Sequence, residues 1–222
     1  MRKFTVLIVS LLLLAPMVAN ALNINEIRVD NGGTDTDEYF ELAGTAGTDL
    51  SGYFYIVIGD GTGGSGVLES ISDLTGLAIA ADGYLSVHKD GTMGTCATYD
   101  AEVTLSFENS DNTTHLLVTN LTGALQDDLD TNDDGVLDVT PWDSIVDSVS
   151  LIESVGSGDL VYGGNSVGPD GTYAPAHVLI CDGSWVVGDF DNCLYDSPGA
   201  GNTACTVSND EATFGQIKTM YR

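Results

Sequence analysis

Positive charge is nearly missing from this chain. It has six Lys and Arg against 33 Asp and Glu, with three His. Arg2 and Lys3 stand at the start and Lys218 and Arg222 at the end, so the 200-odd residues between them carry only Arg28 and Lys89. Such a surface repels phosphate backbones and anionic headgroups, because nucleic-acid binding depends on clustered Lys and Arg. No nucleic-acid partner is therefore expected. Helical periodicity is absent between residues 22 and 205, which excludes bundles and alternating α/β folds. There is one long apolar run, at the N-terminus, so no membrane insertion of the mature chain is expected. The four cysteines lack the spacing of a zinc site.

The N-terminus does carry a signal. Met1-Arg2-Lys3, the apolar run Phe4 to Leu14 and then Ala15-Pro16-Met17-Val18-Ala19-Asn20-Ala21 supply the basic head, apolar core and small-residue cleavage site of a secretory signal peptide. A spanning helix needs roughly 20 apolar residues, and Pro16 and Asn20 interrupt the run too early. Cleavage after Ala21 predicts three parts: a signal peptide over 1–21, a β-domain over 22–205 and a tail over 206–222. The expected location is secreted or at the cell surface, with a periplasm equally reachable. In an exported chain an even cysteine count reads as disulfides. Three pairings of Cys96, Cys181, Cys193 and Cys205 are possible; Cys181 with Cys193, which flank a hairpin-like stretch, is favoured, leaving Cys96 with Cys205.

Short β-rich runs recur between clusters of Gly, Asp, Asn, Ser and Thr. Tyr53 to Ile58 is continuously apolar, as a strand covered on both faces would be. Val103, Leu105 and Phe107 alternate with Thr104 and Ser106, and Val149 and Leu151 with Ser148 and Ser150, which predicts strands with one face in the core. Further strands are expected at Ile24 to Val29, Glu38 to Leu42, Tyr84 to His88, His115 to Thr119, Ala176 to Cys181 and Ser184 to Val187. Seven to nine such strands predict an all-β chain built as an immunoglobulin-like antiparallel β-sandwich. Gly123 to Asp138 reads as an acidic insertion, and Phe214, Ile217 and Tyr221 in the tail follow helical spacing.

The order of landmarks resembles the lamin-tail domain of exported bacterial proteins. The matching pieces are Ile24-Asn25-Glu26-Ile27, Asp37-Glu38-Tyr39-Phe40-Glu41-Leu42, Asp49-Leu50-Ser51-Gly52-Tyr53, Leu77 to Leu85, and the closing turn Asp196-Ser197-Pro198-Gly199-Ala200. The resemblance implies a non-catalytic sandwich for attachment, recognition or surface organisation, with an unidentified cell-surface or extracellular partner. The long stretch from Asn109 to Gly171 departs from the family's compact form.

Four local patterns bear on chemistry. Asp130-Thr131-Asn132-Asp133-Asp134-Gly135-Val136-Leu137-Asp138 places oxygen ligands at loop positions one, three, five and nine, with a bend-permitting Gly at six. Ca2+ held by Asp130, Asn132, Asp134, the Val136 carbonyl and Asp138 is the resulting expectation; Pro141 occupies the twelfth position, so Asp128 or Asp143 would complete the shell. Gly59 to Gly64 matches a dinucleotide fingerprint, but without a βαβ context it reads as a hairpin loop. Gly164-Asn165-Ser166-Val167-Gly168 matches a nucleophile elbow, yet Gly168-Pro169-Asp170-Gly171 follows instead of a helix, and His88 and His177 lie in strand contexts. Trp142, Trp185, Tyr53, Tyr55 and Tyr173 could form a sugar-stacking platform. No catalytic residue is assigned; a secreted hydrolase or carbohydrate-binding module is the alternative.

Overall fold

The computed structural model describes residues 21–61, 64–90, 99–156, 158–190 and 195–202. Eleven strands form among them: β1 (Asn23–Arg28), β2 (Tyr39–Ala43), β3 (Tyr53–Gly61), β4 (Gly64–Asp73), β5 (Tyr84–Lys89), β6 (Ala101–Val103), β7 (Thr113–Thr119), β8 (Ser144–Leu151), β9 (Ser166–Val167), β10 (His177–Cys181) and β11 (Ser184–Val187). They make two sheets, β11-β10-β1-β2-β5-β6 and β4-β3-β7-β8-β9, packed face to face as a β-sandwich. The expectation of purely antiparallel sheets needs correction. β6 runs parallel to β5 and β9 parallel to β8; each is a short edge strand separated from its neighbour by a stretch of chain too long for a tight hairpin.

Side-chain alternation decides what each face meets. Ile24, Ile27, Phe40, Leu42, Leu85, Val87 and Val178 of the first sheet meet Tyr55, Val57, Leu117, Val149 and Leu151 of the second, and Phe40 stacks on Tyr55 at 3.8 Å. Burying each of these aliphatic side chains contributes roughly 1.5–3 kcal/mol. The outer face of the five-stranded sheet is apolar as well, with Ile56, Ile58, Leu68, Leu116 and Val118. This explains the unbroken apolar run of β3: it has hydrophobic cover on both sides.

The acidic insertion supplies that cover. Its backbone pairs with β4 through Leu68 N to Asp127 O, Gln126 N to Leu68 O and Leu129 N to Gly66 O, and it lowers Leu129 and Leu137 onto the sheet. β4 was not expected, since its Gly and Ser content hides its pattern; Gly59 to Gly61 and Gly64 belong to the β3–β4 hairpin, paired at Gly61↔Gly64. Leu105 and Phe107 are buried as expected, but β6 ends at Val103, so their alternation fills the core without a strand. The β10–β11 hairpin turns through Asp182 and Gly183 at φ 49° and 78°, the geometry a two-residue Asp-Gly loop favours. No helix among the described residues is long and apolar enough to cross a membrane.

Candidate functional site

The outer face of the six-stranded sheet carries charge where the other sheet carries aliphatics. β1 turns Glu26 and Arg28 outward, β2 Tyr39 and Glu41, and β10 His177, all nearly or wholly excluded from solvent. The closing turn seals them. Arg28 donates from Nε and Nη2 to the two oxygens of Asp196 at 2.5 and 2.6 Å, and from Nη2 to Asp189 Oδ1 at 3.3 Å. Glu26 Oε1 accepts from Tyr39 Oη at 2.5 Å and Ser197 N at 3.0 Å, and it lies 2.8 Å from His177 Nε2; Ser197 Oγ donates to Glu26 Oε2 at 2.9 Å. Glu41 accepts from Asn25 Nδ2 at 2.6 Å and Gly199 N at 2.5 Å.

The electrostatics follow from enclosure. Burial pushes the Glu41 carboxyl up to about 8, outweighing the hydrogen bonds from Asn25 and Gly199. Burial also acts to raise Asp196, but the Arg28 fork prevails and holds it below the usual carboxylate range. Burial, then the neighbouring Glu26 and Asp196 charges, raise Tyr39. Oxygens and nitrogen of Glu26, His177 and Asp196 lie within 4.8 Å of one another, close enough to share a metal. Arg28 already provides that cluster's cation, and Glu26 Oε1 already meets three polar partners, so the arrangement works as a buried clamp on the closing turn.

The calcium-loop residues are elsewhere, on the insertion. Asp130 is buried; its Oδ2 accepts from Gly135 N at 2.9 Å and Tyr162 Oη at 2.8 Å, and its Oδ1 from Asp134 N at 3.3 Å. Burial acts to raise its carboxyl, but the Tyr162 hydroxyl and the loop N–H groups outweigh that and lower it. Gly135 takes φ +83°, which makes the bend. Asn132 Oδ1 accepts from Asp134 N, Asp134 Oδ1 from Val136 N, and Asp138 Oδ2 from Thr131 N and Oγ1. The loop oxygens are thus engaged by the loop's own amides and hydroxyl, and Asp130, Asp134 and Asp138 are not among the described carboxylate groups whose oxygens meet within 4.8 Å of one another. Of the two candidates for completing the shell, Asp128 accepts from Asp130 N, and Asp143 is turned to Asn120.

A second acidic meeting point was not legible in the sequence: Asp60, Asp111 and Asp159 bring carboxylate oxygens within 4.8 Å of one another from three separate segments. Burial and then a hydrogen bond with Asp60 push Asp111 up to about 7.

The other expected residues do not assemble into a site. Ser166 sits in β9, while His88 and His177 are buried on the other sheet. The remaining histidine, His115, is wholly buried against Tyr55 Oη at 2.8 Å, and burial pushes it down to about 3. Tyr55 is a core residue, Trp142 packs on the outer cluster and Trp185 and Tyr53 on the inner one, so the five aromatics form no common platform. Tyr173 alone among them is an exposed large ring, at 73%. Cys181 ends β10 and is not a free thiol. Cys96, Cys193 and Cys205, like the signal segment 1–20 and the tail with Phe214, Ile217 and Tyr221, lie outside the described residues.

Comparison with family models, characterised proteins and solved structures found no match to this chain.

Proposed function

We propose that this chain is an exported, non-catalytic, lamin-tail-like module of immunoglobulin-like type that attaches to a cell-surface or extracellular partner. The observation that carries this reading is where the ionisable groups lie. The constellation of Glu26, Arg28, His177 and Asp196 has side chains fully excluded from solvent and clamps the fold through the closing turn. That supports binding through the outer loops over catalysis. Expression of the full chain tests the reading. A product processed after Ala21 and retained at the surface is expected; an unprocessed cytosolic product, or a processed one found wholly in the medium, would contradict it.

Calcium belongs to the same proposal. The Asp130 to Asp138 loop carries oxygen ligands in calcium-loop spacing and bends at Gly135, and a hard cation would have to draw Asp134 and Asp138 inward. With an extracellular-type Kd of about 10⁻⁴ to 10⁻³ M, 5 mM-range calcium would add about 1–2 kcal/mol, raising Tm by about 3–6 °C. Asp134→Asn is expected to abolish most of that rise; an unchanged Tm in the parent chain would retire the metal.

A second reading, carbohydrate binding, has one observation in its favour. Trp185 lines a cleft of about 390 Å³ with Asn23, Asn165, Ser166 and Ser184, an indole beside amides and hydroxyls. Quenching of Trp fluorescence by oligosaccharides, lost in Trp185→Ala, would support it.

A further inference from the structure

The largest exposed ring in the described chain does not stand alone. Tyr173, 73% exposed, and Phe190, 49% exposed, line one open cleft of about 550 Å³ with Asp30, Asn109 and Asp170, over a floor that includes Ala174 and Ala176. Exposed aromatics sharing a cleft mark a binding surface more than rings scattered singly do. The walls are firmly placed. Asp170 and Tyr173 exchange backbone hydrogen bonds at 3.0 and 3.1 Å, which fixes the turn carrying Tyr173. Val29 N and Asp30 N both donate to Ala176 O, which ties the end of β1 to the floor.

The charged side chains described along this cleft are of one sign. Asp30 and Asp170 line it, and Asp35 stands behind Asp30, its carboxyl pushed up to about 6 by burial and then by the hydrogen bond and charge of Asp30. Among the described residues the basic side chains are Arg28 and Lys89. Arg28, wholly buried, forks to Asp196, meets Asp189 and donates from Nη1 to the Asp30 carbonyl at 3.2 Å, and Lys89 is committed to Glu38, although Lys89 offsets Asp35 in part. The Asp170 carboxylate has no ion-pair or hydrogen-bond partner among the described residues. No described basic side chain is therefore free to reach into this cleft.

We propose that the cleft takes an arginine side chain from a basic peptide segment of the partner, its guanidinium stacked on the exposed rings and its N–H groups turned to Asp30 and Asp170. Arginine fits better than a sugar or a lysine. A planar cation stacks on aromatic faces and forks to carboxylates, whereas Phe190 has no polar edge for a hydroxyl-rich ligand and an ammonium cannot stack flat. This inference rests on the attachment reading and names the site through which attachment would work.

The test is calorimetric titration of the full chain with an acetylated, amidated Gly-Arg-Gly-Arg-Gly peptide and its glutamine counterpart. Sub-millimolar binding of the arginine peptide alone is expected. Tyr173→Ser, which changes no charge, and Asp170→Asn should each weaken it about ten-fold. Asp82→Asn removes one acid from the turn before β5, at the opposite end of the sheet, and should leave affinity within about two-fold. Tyr173 is exposed, so the variants should melt like the parent. Equal weakening by all three variants, or none by Tyr173→Ser, would reduce the binding to net charge and overturn the site. So would cellotriose binding that Tyr173→Ser abolishes while the arginine peptide is ignored. Surface retention, read separately, keeps the two proposals apart. A retained chain without Tyr173-dependent peptide binding overturns the cleft alone, whereas a chain that binds the peptide but is not retained supports the cleft and overturns attachment.

Discussion

Arg28 shows how one residue can hold a fold shut. A buried guanidinium is tolerated only when its donors and charge are matched, and Asp196 matches it in a two-pronged contact with Asp189 beside it. Arg28→Leu leaves Asp196 as an uncompensated buried acid with Asp189 beside it, so a loss of about 3–5 kcal/mol in urea unfolding is expected. The double variant Arg28→Leu with Asp196→Leu should recover part of that loss, because the buried charge is then removed on both sides. If the single and double variants are equally unstable, the clamp depends on shape and not on charge. Little of this was visible beforehand. Within the expected strand Glu38 to Leu42, alternation sets Phe40 in the core and Tyr39 in the polar layer. Two of Glu26's partners, however, His177 and Ser197, come from positions more than 150 residues away, and no local pattern links them.

At the scale of elements, the insertion changes meaning. Its sequence reads as a solvated acidic loop, yet it roofs the outer face of the five-stranded sheet through Leu129, which is 2% exposed. Leu129→Ala should cost about 2–4 kcal/mol if the roof and sheet unfold together. Limited proteolysis offers a second readout: cleavage within 123–138 should speed up in the variant, and an unchanged rate would mean that the insertion is held by its backbone pairing alone. The strands that were legible are those whose side chains obey alternation or form an apolar run, namely β1, β2, β3, β5, β7, β8, β10 and β11. β4 was illegible because its Gly and Ser residues blur the alternation, and the segment that pairs with its outer edge lies far along the chain. β9, at two residues, is too short for any period. The calcium motif was legible as spacing; the triple of Asp60, Asp111 and Asp159 was not, since folding alone brings those three segments together.

For the molecule as a whole, pH acts through carboxyls that resist ionisation. Glu41 is pushed up to about 8, Glu69 and Asp111 to about 7 and Asp35 to about 6, with burial the leading cause in each. Between about pH 4 and 8 these groups hold protons in the folded chain that the unfolded chain has released. Their contribution is therefore complete below the unfolded carboxylate range and is lost as pH rises through the folded values. His115, pushed down to about 3, works in the opposite sense up to about pH 6.5, and Asp196, held low, loses its contribution only as pH falls below about 4. Above about pH 6.5 the raised carboxyls act without that opposition, and the formal charge of −27 adds self-repulsion in the same direction. The urea-unfolding free energy should fall from pH 6.5 to 9 by an amount on the order of 2 kcal/mol, with a lower midpoint to match and a shallower slope in Glu41→Gln. A midpoint that is flat or rises over that range would contradict the assignment.

The sequence by itself determined the all-β class, the strand faces that meet in the core, the scarcity of basic side chains and the acidic character of the insertion. These are local or summed properties, set by alternation with a period of two and by composition. Only the tertiary structure decided that both outer sheet faces are covered, one by the insertion and one by the closing turn, and that β6 and β9 join in parallel. It also decided that Tyr173 and Phe190 share a cleft with Asp30 and Asp170. Those outcomes depend on contacts between distant segments, whose partners follow from how the layers pack and cannot be read from any one stretch of chain.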